Sequence, residues 1–196
     1  MKRILITGFE PFGGETINPS WEAVKLIPDT VNGAEIVKAP VCVEYEKSGH
    51  VLKQLIAENK PDAVICCGQA GGRKAVTPEV CAINRDHAEA PDNAGEVRRY
   101  REIIPGGENA YFAALPVEKM VETVKAAGVA CAPSFSAGTY VCNHIYYVLR
   151  SIMEKGIFVH VPFIPEQVEG KNLPAMELAD IAKAIELIAG VVADSI

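Results

Sequence analysis

Cys142 has the sequence setting of a cysteine nucleophile. It follows the small residues of positions 136–139, and the apolar residues after it recur at the i, i+3, i+4 spacing of one helical face. Cys142 is therefore predicted in the first turn of that helix, where unpaired N–H groups and the helix dipole favour a thiolate and could bind an oxyanion. Free cysteine is also among the most buried residue types, so a catalytic role requires partner side chains.

His160 and Glu79 are the candidate partners of that thiol. His160 lies near the end of an apolar strand pattern, 18 residues after Cys142. Because strand ends meet at one edge of an α/β sheet, its imidazole could reach the thiol and act as the base. Glu79 enters another apolar strand and could orient the imidazole and stabilise its charged form. The alternatives are a structural histidine and an exposed glutamate.

The three other histidines are weaker candidates for the base. They fall within a predicted helix, in a charged loop, and just beyond the cysteine on a helix whose successive residues face different directions, at His50, His87 and His144 respectively. His160 is accordingly the predicted base.

Two glycine-rich turns, at residues 8–14 and 68–73, follow predicted strands and invite comparison with phosphate loops. Neither matches G-x-x-x-x-G-K-[ST] or G-x-G-x-x-G, and the first carries Phe9 and Phe12 where a phosphate site needs backbone amides and cations. The two rings suggest an apolar wall for a flat, uncharged ligand ring. They could equally be core aromatics beside a turn.

Apolar runs of strand length alternate with helical patterns along the whole chain, which predicts an α/β fold with strands buried on both faces of a sheet. The predicted strands cover residues 3–7, 35–43, 63–67, 80–84, 130–135 and 157–163. The predicted helices cover residues 20–27, 45–58, 117–127, 143–155 and 174–192, the last with Pro174 in its first turn.

One tract, residues 84–107, differs from its surroundings because it is rich in charge, proline and glycine. It is predicted to form a long loop or a projecting hairpin. Loops of this length usually bind or cover something, so the tract could wall a site or contact another subunit.

The composition excludes several functional classes. With 49% apolar and 22% charged residues, the 196-residue chain is typical of a globular protein, and we interpret residues 1–196 as one domain. A net charge of −6 without a basic block argues against nucleic-acid or anionic-membrane partners.

The six cysteines are predicted to be free thiols in a reducing cytoplasm. The N-terminal apolar run is too short for a signal peptide, and no run is long enough to span a membrane. There is no C-x-x-C pair and no H-E-x-x-H motif, and the adjacent Cys66 and Cys67 would point to opposite faces of a strand. We therefore predict neither a metal site nor a cofactor.

Nine short segments carry a family resemblance, and they occur in this order: TGFEPFGG at 7–14, NPS at 18–20, GQAGGR at 68–73, TPE at 77–79, AIN at 82–84, PDN at 91–93, PGG at 105–107, AGTYVCN at 137–143 and HVPFIPEQ at 160–167. Together they resemble the pyroglutamyl peptidase I family, also called pyrrolidone-carboxylate peptidase. The resemblance implies a three-layer α/β/α sandwich with a twisted, mostly parallel sheet. It also implies a cytoplasmic cysteine peptidase that removes N-terminal 5-oxoproline from peptides, with its catalytic residues at Glu79, Cys142 and His160.

The same resemblance implies a substrate pocket. Its lining for the lactam ring would be Phe9, Phe12, Tyr140 and Val141, and two amides would lie near its polar edge, Asn18 and Gln69. The implied partners are small peptides with N-terminal pyroglutamate and further copies of the chain in a dimer or tetramer, with no nucleic acid and no membrane.

Two positions depart from the usual pattern of the family. Family members usually carry Arg or Lys directly after the catalytic glutamate, where this chain has Val80, and an arginine where it has Glu89. Loss of a cation near the site could weaken stabilisation of the oxyanion or the substrate. Arg85 or Arg73 could compensate.

The leading hypothesis is acyl transfer from a pyroglutamyl amide to the Cys142 thiolate, with His160 as base and then acid. One rival is a phosphorylase-like transferase that binds phosphate and a nucleoside at the glycine turns, which phosphate-dependent turnover would support. The other is a binding module that keeps the pocket without activity, which the departures at Val80 and Glu89 keep open.

Overall fold

The computed structural model describes residues 2–196 and contains eight strands and five α-helices in that range. The strands are β1 (Arg3–Phe9), β2 (Thr30–Val31), β3 (Ala34–Val41), β4 (Ala63–Gln69), β5 (Thr77–Pro78), β6 (Cys81–Ile83), β7 (Ala110–Phe112) and β8 (Gly156–Val161). The helices are α1 (Pro19–Leu26), α2 (Tyr45–Asn59), α3 (Val117–Ala126), α4 (Val141–Ile152) and α5 (Leu178–Ser195). None of these helices is long and apolar enough to cross a membrane.

Six strands form the central sheet in the order β2-β3-β1-β4-β8-β5. The four inner strands are parallel, while the short strands β2 and β5 close the two edges in antiparallel pairing. Every residue of β4 and β8 is buried, as expected for parallel strands covered by helices on both faces.

The helices lie in two layers, one on each face of the sheet. In β1, Ile4 and Ile6 pack in the core shared with α1, α3 and α5, whereas Leu5 packs in the core shared with α2 and α4. This division follows from the strand period of two, which sends successive side chains to opposite faces. The predicted three-layer α/β/α fold with a mostly parallel sheet is confirmed.

Two predicted elements are wrong in detail. Residues 130–135 form no strand and make only isolated bridges, at Cys131 and Ser134, because Pro78 on the facing segment has no N–H to donate between the bonds made by Val76 and Val80. The last helix begins at Leu178, not at Pro174, because the residues before it pair with the chain near Phe163 instead of turning into the helix.

The helix that carries Cys142 also begins earlier than predicted. Helix α4 starts at Val141, two residues before the expected Asn143, and it ends at Ile152. Cys142 is therefore the second residue of the helix, which keeps it in the first turn as predicted.

The tract at residues 84–107 connects β6 to β7, which pair antiparallel with each other in a separate two-stranded sheet. Its two limbs are joined by a bridge between Asp86 and Arg101 and by a hydrogen bond from the Ala88 N–H to the Arg98 carbonyl. Its far end contacts the loop between β3 and α2, where the Asn93 N–H donates to the Val43 carbonyl.

Candidate active site

Glu79 and His160 form a buried hydrogen-bonded pair. The Glu79 Oε1 and His160 Nδ1 atoms are 2.7 Å apart, and both side chains are almost wholly buried. The backbone sets this contact, because β5 pairs with β8 and the Glu79 N–H donates to the Phe158 carbonyl at 2.8 Å. With its Nδ1–H directed at the carboxylate, the neutral imidazole carries its lone pair on Nε2.

The Cys142 thiol lies on the same face of the sheet as the His160 ring. Gly68 of β4 is the ladder partner of His160 in β8, and a Cβ at Gly68 would stand 3.1 Å from Cys142 Sγ and 2.7 Å from Phe158 Cζ. Paired residues of neighbouring strands direct their side chains to the same face. The glycine therefore leaves the space that the thiol occupies on this face of the sheet.

The first turn of α4 supplies donors around the thiol. Its first backbone hydrogen bond runs from the His144 N–H to the Tyr140 carbonyl, so the N–H groups of the three residues between have no acceptor within residues 2–196. The turn is anchored by Asn143, whose side chain binds both the N–H and the carbonyl of Ile83. These N–H groups are positioned to bind an oxyanion at the cysteine.

The electrostatics favour a neutral thiol and a neutral imidazole at rest. Burial lowers the pKa of His160 and outweighs the opposing effect of Glu79. Burial raises the pKa of the Cys142 thiol, and the Glu79 charge raises it further. Burial therefore opposes the thiolate that the helix N-terminus is predicted to favour.

Glu79 itself stays ionised in this setting. Burial would raise the pKa of the carboxyl, but the hydrogen bond and charge of His160, the Ser134 hydroxyl and the charge of Arg73 bring it below its usual value. The backbone of Glu79 is also held by helix α4, because the Tyr146 hydroxyl donates to its carbonyl at 2.9 Å.

The aromatic residues expected around the lactam ring differ in their exposure. Phe9 is buried and its ring centroid lies 6.3 Å from that of Phe158, whereas Phe12 is partly exposed and faces Tyr140 at 6.3 Å. Val141 is completely buried, so its side chain belongs to the core. Phe12 and Tyr140 are thus the aromatic side chains that an incoming ligand can reach.

The two predicted amides, Asn18 and Gln69, are buried and already bonded. Asn18 caps α1, since its Oδ1 accepts from the N–H and hydroxyl of Ser20 and its Nδ2 donates to the Glu10 carbonyl. Gln69 accepts at Oε1 from the Gln167 amide at 2.8 Å, which leaves its own NH₂ group as a donor. Asn18 therefore shapes the loop that carries Phe12, and Gln69 retains a donor for a ligand.

The tract at residues 84–107 joins the loops around this region. Asn93 donates to the Pro11 carbonyl at 2.9 Å, and the Tyr140 hydroxyl donates to the Pro91 carbonyl at 2.8 Å. The tract thereby links the loop after β1 to the start of α4. It walls the side of the site that holds Phe12 and Tyr140.

The sequence profile of the pyroglutamyl peptidase family matches residues 2–195. This chain belongs to the pyroglutamyl peptidase family. The pyrrolidone-carboxylate peptidase of Thermosipho africanus is 51% identical over 190 residues, which cover 93% of each chain. That of Bacillus amyloliquefaciens is 45% identical over 195 residues, covering 96% of this chain and 91% of its relative.

Solved structures of pyroglutamyl peptidases share the fold. Pyroglutamyl peptidase I of Bacillus amyloliquefaciens matches with a TM-score of 0.95 at 43% identity, covering 99% of this chain and 98% of the other. A mutant pyrrolidone carboxyl peptidase of Pyrococcus furiosus matches with a TM-score of 0.93 at 33% identity. The protein is therefore a peptidase, and removal of an N-terminal pyroglutamyl residue by a cysteine nucleophile is the activity of this family.

The positions that depart from the usual pattern of pyroglutamyl peptidases lie away from the thiol. Val80 points from Glu79 to the opposite side, into an apolar hollow lined also by Val117 and Phe135. Glu89 is exposed and forms an ion pair with Arg99. A basic residue at position 80 would therefore not face the imidazole.

Of the two arginines that could compensate, only one reaches the site. Arg85 is exposed and donates to the Tyr100 carbonyl, whereas Arg73 donates to Glu79 Oε1 at 2.7 Å. The sequence alone does not choose between Arg73 and Arg85, because the path of the glycine-rich loop determines which arginine meets Glu79. The one indication in the sequence is that Arg73 ends the GQAGGR segment six residues before Glu79.

Two of the other histidines make contacts outside this site. His87 stacks on Tyr100 with ring centroids 4.3 Å apart, and His144 lies 2.9 Å from Asp86 through Nδ1. The six cysteines are free. Among residues 2–196, no three histidine, cysteine or acidic side chains gather as a metal-binding group.

Proposed function

We propose that Cys142, His160 and Glu79 carry out the hydrolysis of N-terminal pyroglutamyl peptides by this chain. The observation that supports the proposal most is the 2.7 Å contact between Glu79 Oε1 and His160 Nδ1. It fixes the tautomer that leaves Nε2 as an acceptor on the sheet face where the thiol lies.

In the first step, Cys142 Sγ attacks the carbonyl carbon of the pyroglutamyl group while its proton passes to His160 Nε2. Because the thiol pKa is raised and that of the imidazole is lowered, proton transfer accompanies the attack and is not complete beforehand. Glu79 stabilises the imidazolium that forms. The unpaired N–H groups at the start of α4 bind the oxyanion.

In the second step, the tetrahedral intermediate collapses and the C–N bond breaks. His160 gives its proton to the departing amine, so the peptide leaves with a neutral amino group and a thioester remains on Cys142. Water then attacks the thioester, with its proton taken by His160. The C–S bond breaks, the sulfur regains a proton, and 5-oxoproline is released.

Selectivity follows from the uncharged lactam. Phe12 and Tyr140 offer apolar contact to the ring, with Phe9 and Val141 behind them in the core. The free NH₂ group of Gln69 can donate to the lactam carbonyl, and the second Nδ2–H of Asn18 is uncommitted. A substrate with a free ammonium would lose its hydration in this setting, at a cost of several kcal/mol.

The test is a fluorogenic pyroglutamyl amide assayed beside the matched prolyl amide, before and after treatment with iodoacetamide. We expect turnover of the pyroglutamyl amide alone, abolished by the reagent and by Cys142→Ala. The prolyl amide should be turned over at least about a hundredfold more slowly, since it leaves polar groups of the pocket unpaired at about 1–3 kcal/mol each.

Other outcomes of this assay would favour a different function. Turnover that persists in Cys142→Ala would refute the mechanism, and similar rates on the two amides would refute the ring pocket. Turnover that requires phosphate would favour a transferase. Binding of the pyroglutamyl amide without turnover would favour a binding module.

We extend the proposal to the protein's setting. Its six unpaired cysteines suit a reducing cytoplasm. Residues 1–196 would form one catalytic domain. A dimer or tetramer of this chain remains a prediction that sedimentation of the purified protein would test.

A further inference from the structure

Arg73 connects three segments around the Glu79 carboxylate. Its guanidinium donates to the Thr77 hydroxyl, to Glu79 Oε1 at 2.7 Å and to the Ser136 carbonyl at 3.2 Å. Thr77 belongs to β5, and Ser136 belongs to the segment that leads into the nucleophile helix. One side chain of the glycine-rich loop therefore holds both the carboxylate and the approach to the thiol.

The Glu79 carboxylate is stabilised in its charged form partly by this contact. It is fully buried, its Oε1 is shared by His160 and Arg73, and its Oε2 has no hydrogen-bond partner within residues 2–196. A buried carboxylate whose partner is a neutral imidazole would favour its protonated form. Across the same residues, Arg73 is the only Lys or Arg within 4.0 Å of this carboxylate.

We propose that Arg73 is a positioning residue of the hydrolysis, whose ion pair keeps Glu79 charged and directed at His160 Nδ1. This proposal rests on the proposed function of Glu79, Cys142 and His160. Arg73 acts through Glu79 and needs no contact with the substrate.

Two charged groups face the His160 ring and act in opposite directions. The carboxylate of Glu79 raises the pKa of His160, while Arg73 lowers it in the same direction as burial. The other titratable groups on this side are two thiols and a phenol, all held neutral at pH 7 by burial, which raises the pKa of Cys142, Cys66 and Tyr146. Loss of Arg73 should therefore let the Glu79–His160 pair take up its proton at a higher pH, wherever the proton resides.

The test compares Arg73→Met with Arg73→Lys and with Lys74→Met. The first removes the charge and the donors, the second keeps a charge without the planar fork, and the third removes an exposed cation one residue away. We expect Arg73→Met to lower kcat on a pyroglutamyl amide by about tenfold to a hundredfold. Loss of a hydrogen-bonding partner that orients a metal ligand lowers the activity of metalloenzymes by a similar factor. KM should change little, and the acid limb of kcat/KM should move to higher pH.

The two other variants sharpen the result. Arg73→Lys should keep the acid limb close to that of the wild type with an intermediate kcat, and Lys74→Met should match the wild type in both. A purely structural role would lower the amount of folded enzyme without moving the limb. A wild-type kcat and limb in folded Arg73→Met would overturn the proposal.

A second readout needs no activity. The ring protons of His160 can be titrated by NMR in the Cys142→Ser protein with and without Arg73→Met, and the midpoint should lie at higher pH without the arginine. An unchanged midpoint would overturn the proposal, and Arg73→Gln replaces Arg73→Met if circular dichroism shows that the latter does not fold. If the wild type does not turn over pyroglutamyl amides, the proposed function fails and the titration alone decides the role of Arg73.

Discussion

Two buried carboxylate–imidazole pairs in this molecule have nearly the same internal geometry. Glu79 Oε1 lies 2.7 Å from His160 Nδ1, and Asp86 Oδ2 lies 2.9 Å from His144 Nδ1. In each pair an arginine donates to the same carboxylate oxygen, and the other oxygen has no partner within residues 2–196. The pair alone therefore does not distinguish a catalytic site from a structural contact.

The difference lies in what the rest of each imidazole faces. The His160 ring shares a sheet face with the Cys142 thiol. The His144 ring packs against α2, where a Cβ at Gly49 would stand 3.7 Å from Nε2, and it meets Tyr45 edge-on with centroids 5.7 Å apart. One nitrogen is available to a nucleophile, and the other is enclosed by packed helices.

The two arginines differ in the same way. Arg98 has a side chain that is 2% exposed, is bound by Glu96 as well as Asp86, and lies over the Tyr45 ring at 4.5 Å. Arg73 has a side chain that is 26% exposed at the edge of the site. The Asp86 pair is thus a tether that joins the tract at residues 84–107 to α4, while the Glu79 pair is held by an arginine that is partly exposed.

The largest expected contrast is between the two histidines. His160→Ala should lower kcat/KM on a pyroglutamyl amide by at least about a thousandfold, because general base and acid are lost together. His144→Ala should keep kcat within a few-fold of the wild type per folded molecule and lower the free energy of unfolding by about 1–3 kcal/mol, since it leaves Asp86 with one partner fewer. Steady-state kinetics and urea unfolding measure both. A similar loss of kcat/KM in the two variants would contradict a catalytic role for His160 and a structural role for His144.

The carboxylates should show the same division with smaller effects. Glu79→Gln should fold and lose about a hundredfold or more in kcat, because an amide stabilises no imidazolium and can favour the wrong tautomer. Asp86→Asn should lose stability and not rate, by about 1–3 kcal/mol in the free energy of unfolding, since Arg98 keeps Glu96 as a partner. Loss of folded protein in Glu79→Gln with a normal rate in the remainder would reverse the assignment.

The sequence pointed to Glu79, Cys142 and His160 because each sits where an element begins or ends beside small residues or proline. Topology then brings such positions to one sheet edge, as the ladder between Gly68 and His160 shows. The layers of the fold were predictable for a similar reason, since apolar periodicity reports which faces are buried.

The second pair was not predictable from the sequence. Asp86 lies in a charged tract whose path has no periodicity, and its contact with His144 spans 58 residues. Arg73 illustrates the same limit, because the loop backbone determines which carboxylate a flexible side chain meets. The strand predicted at residues 130–135 fails for a related reason, because the missing N–H belongs to Pro78 on the facing segment and the apolar run itself does not show it.

The smallest expected effect concerns the contribution of the Glu79–His160 pair to stability in acid. Burial lowers the folded-state pKa of His160, so the unfolded chain takes up a proton on this histidine at about pH 6.5 while the folded chain does not. The unfolded state then binds more protons, and the free energy of unfolding falls as the pH drops from about 6.5 towards the folded-state pKa, by at most about 1.4 kcal/mol per pH unit. Glu79, whose folded-state pKa is also lowered, contributes a further loss in a more acidic range.

His160→Gln should flatten the pH dependence of the free energy of unfolding between about pH 6.5 and 5. His50→Gln, at an exposed position of α2, should leave that dependence as steep as in the wild type. Urea unfolding at a series of pH values measures the slopes, and an equal slope in His160→Gln and the wild type would mean that the buried imidazole is not held neutral in the folded protein.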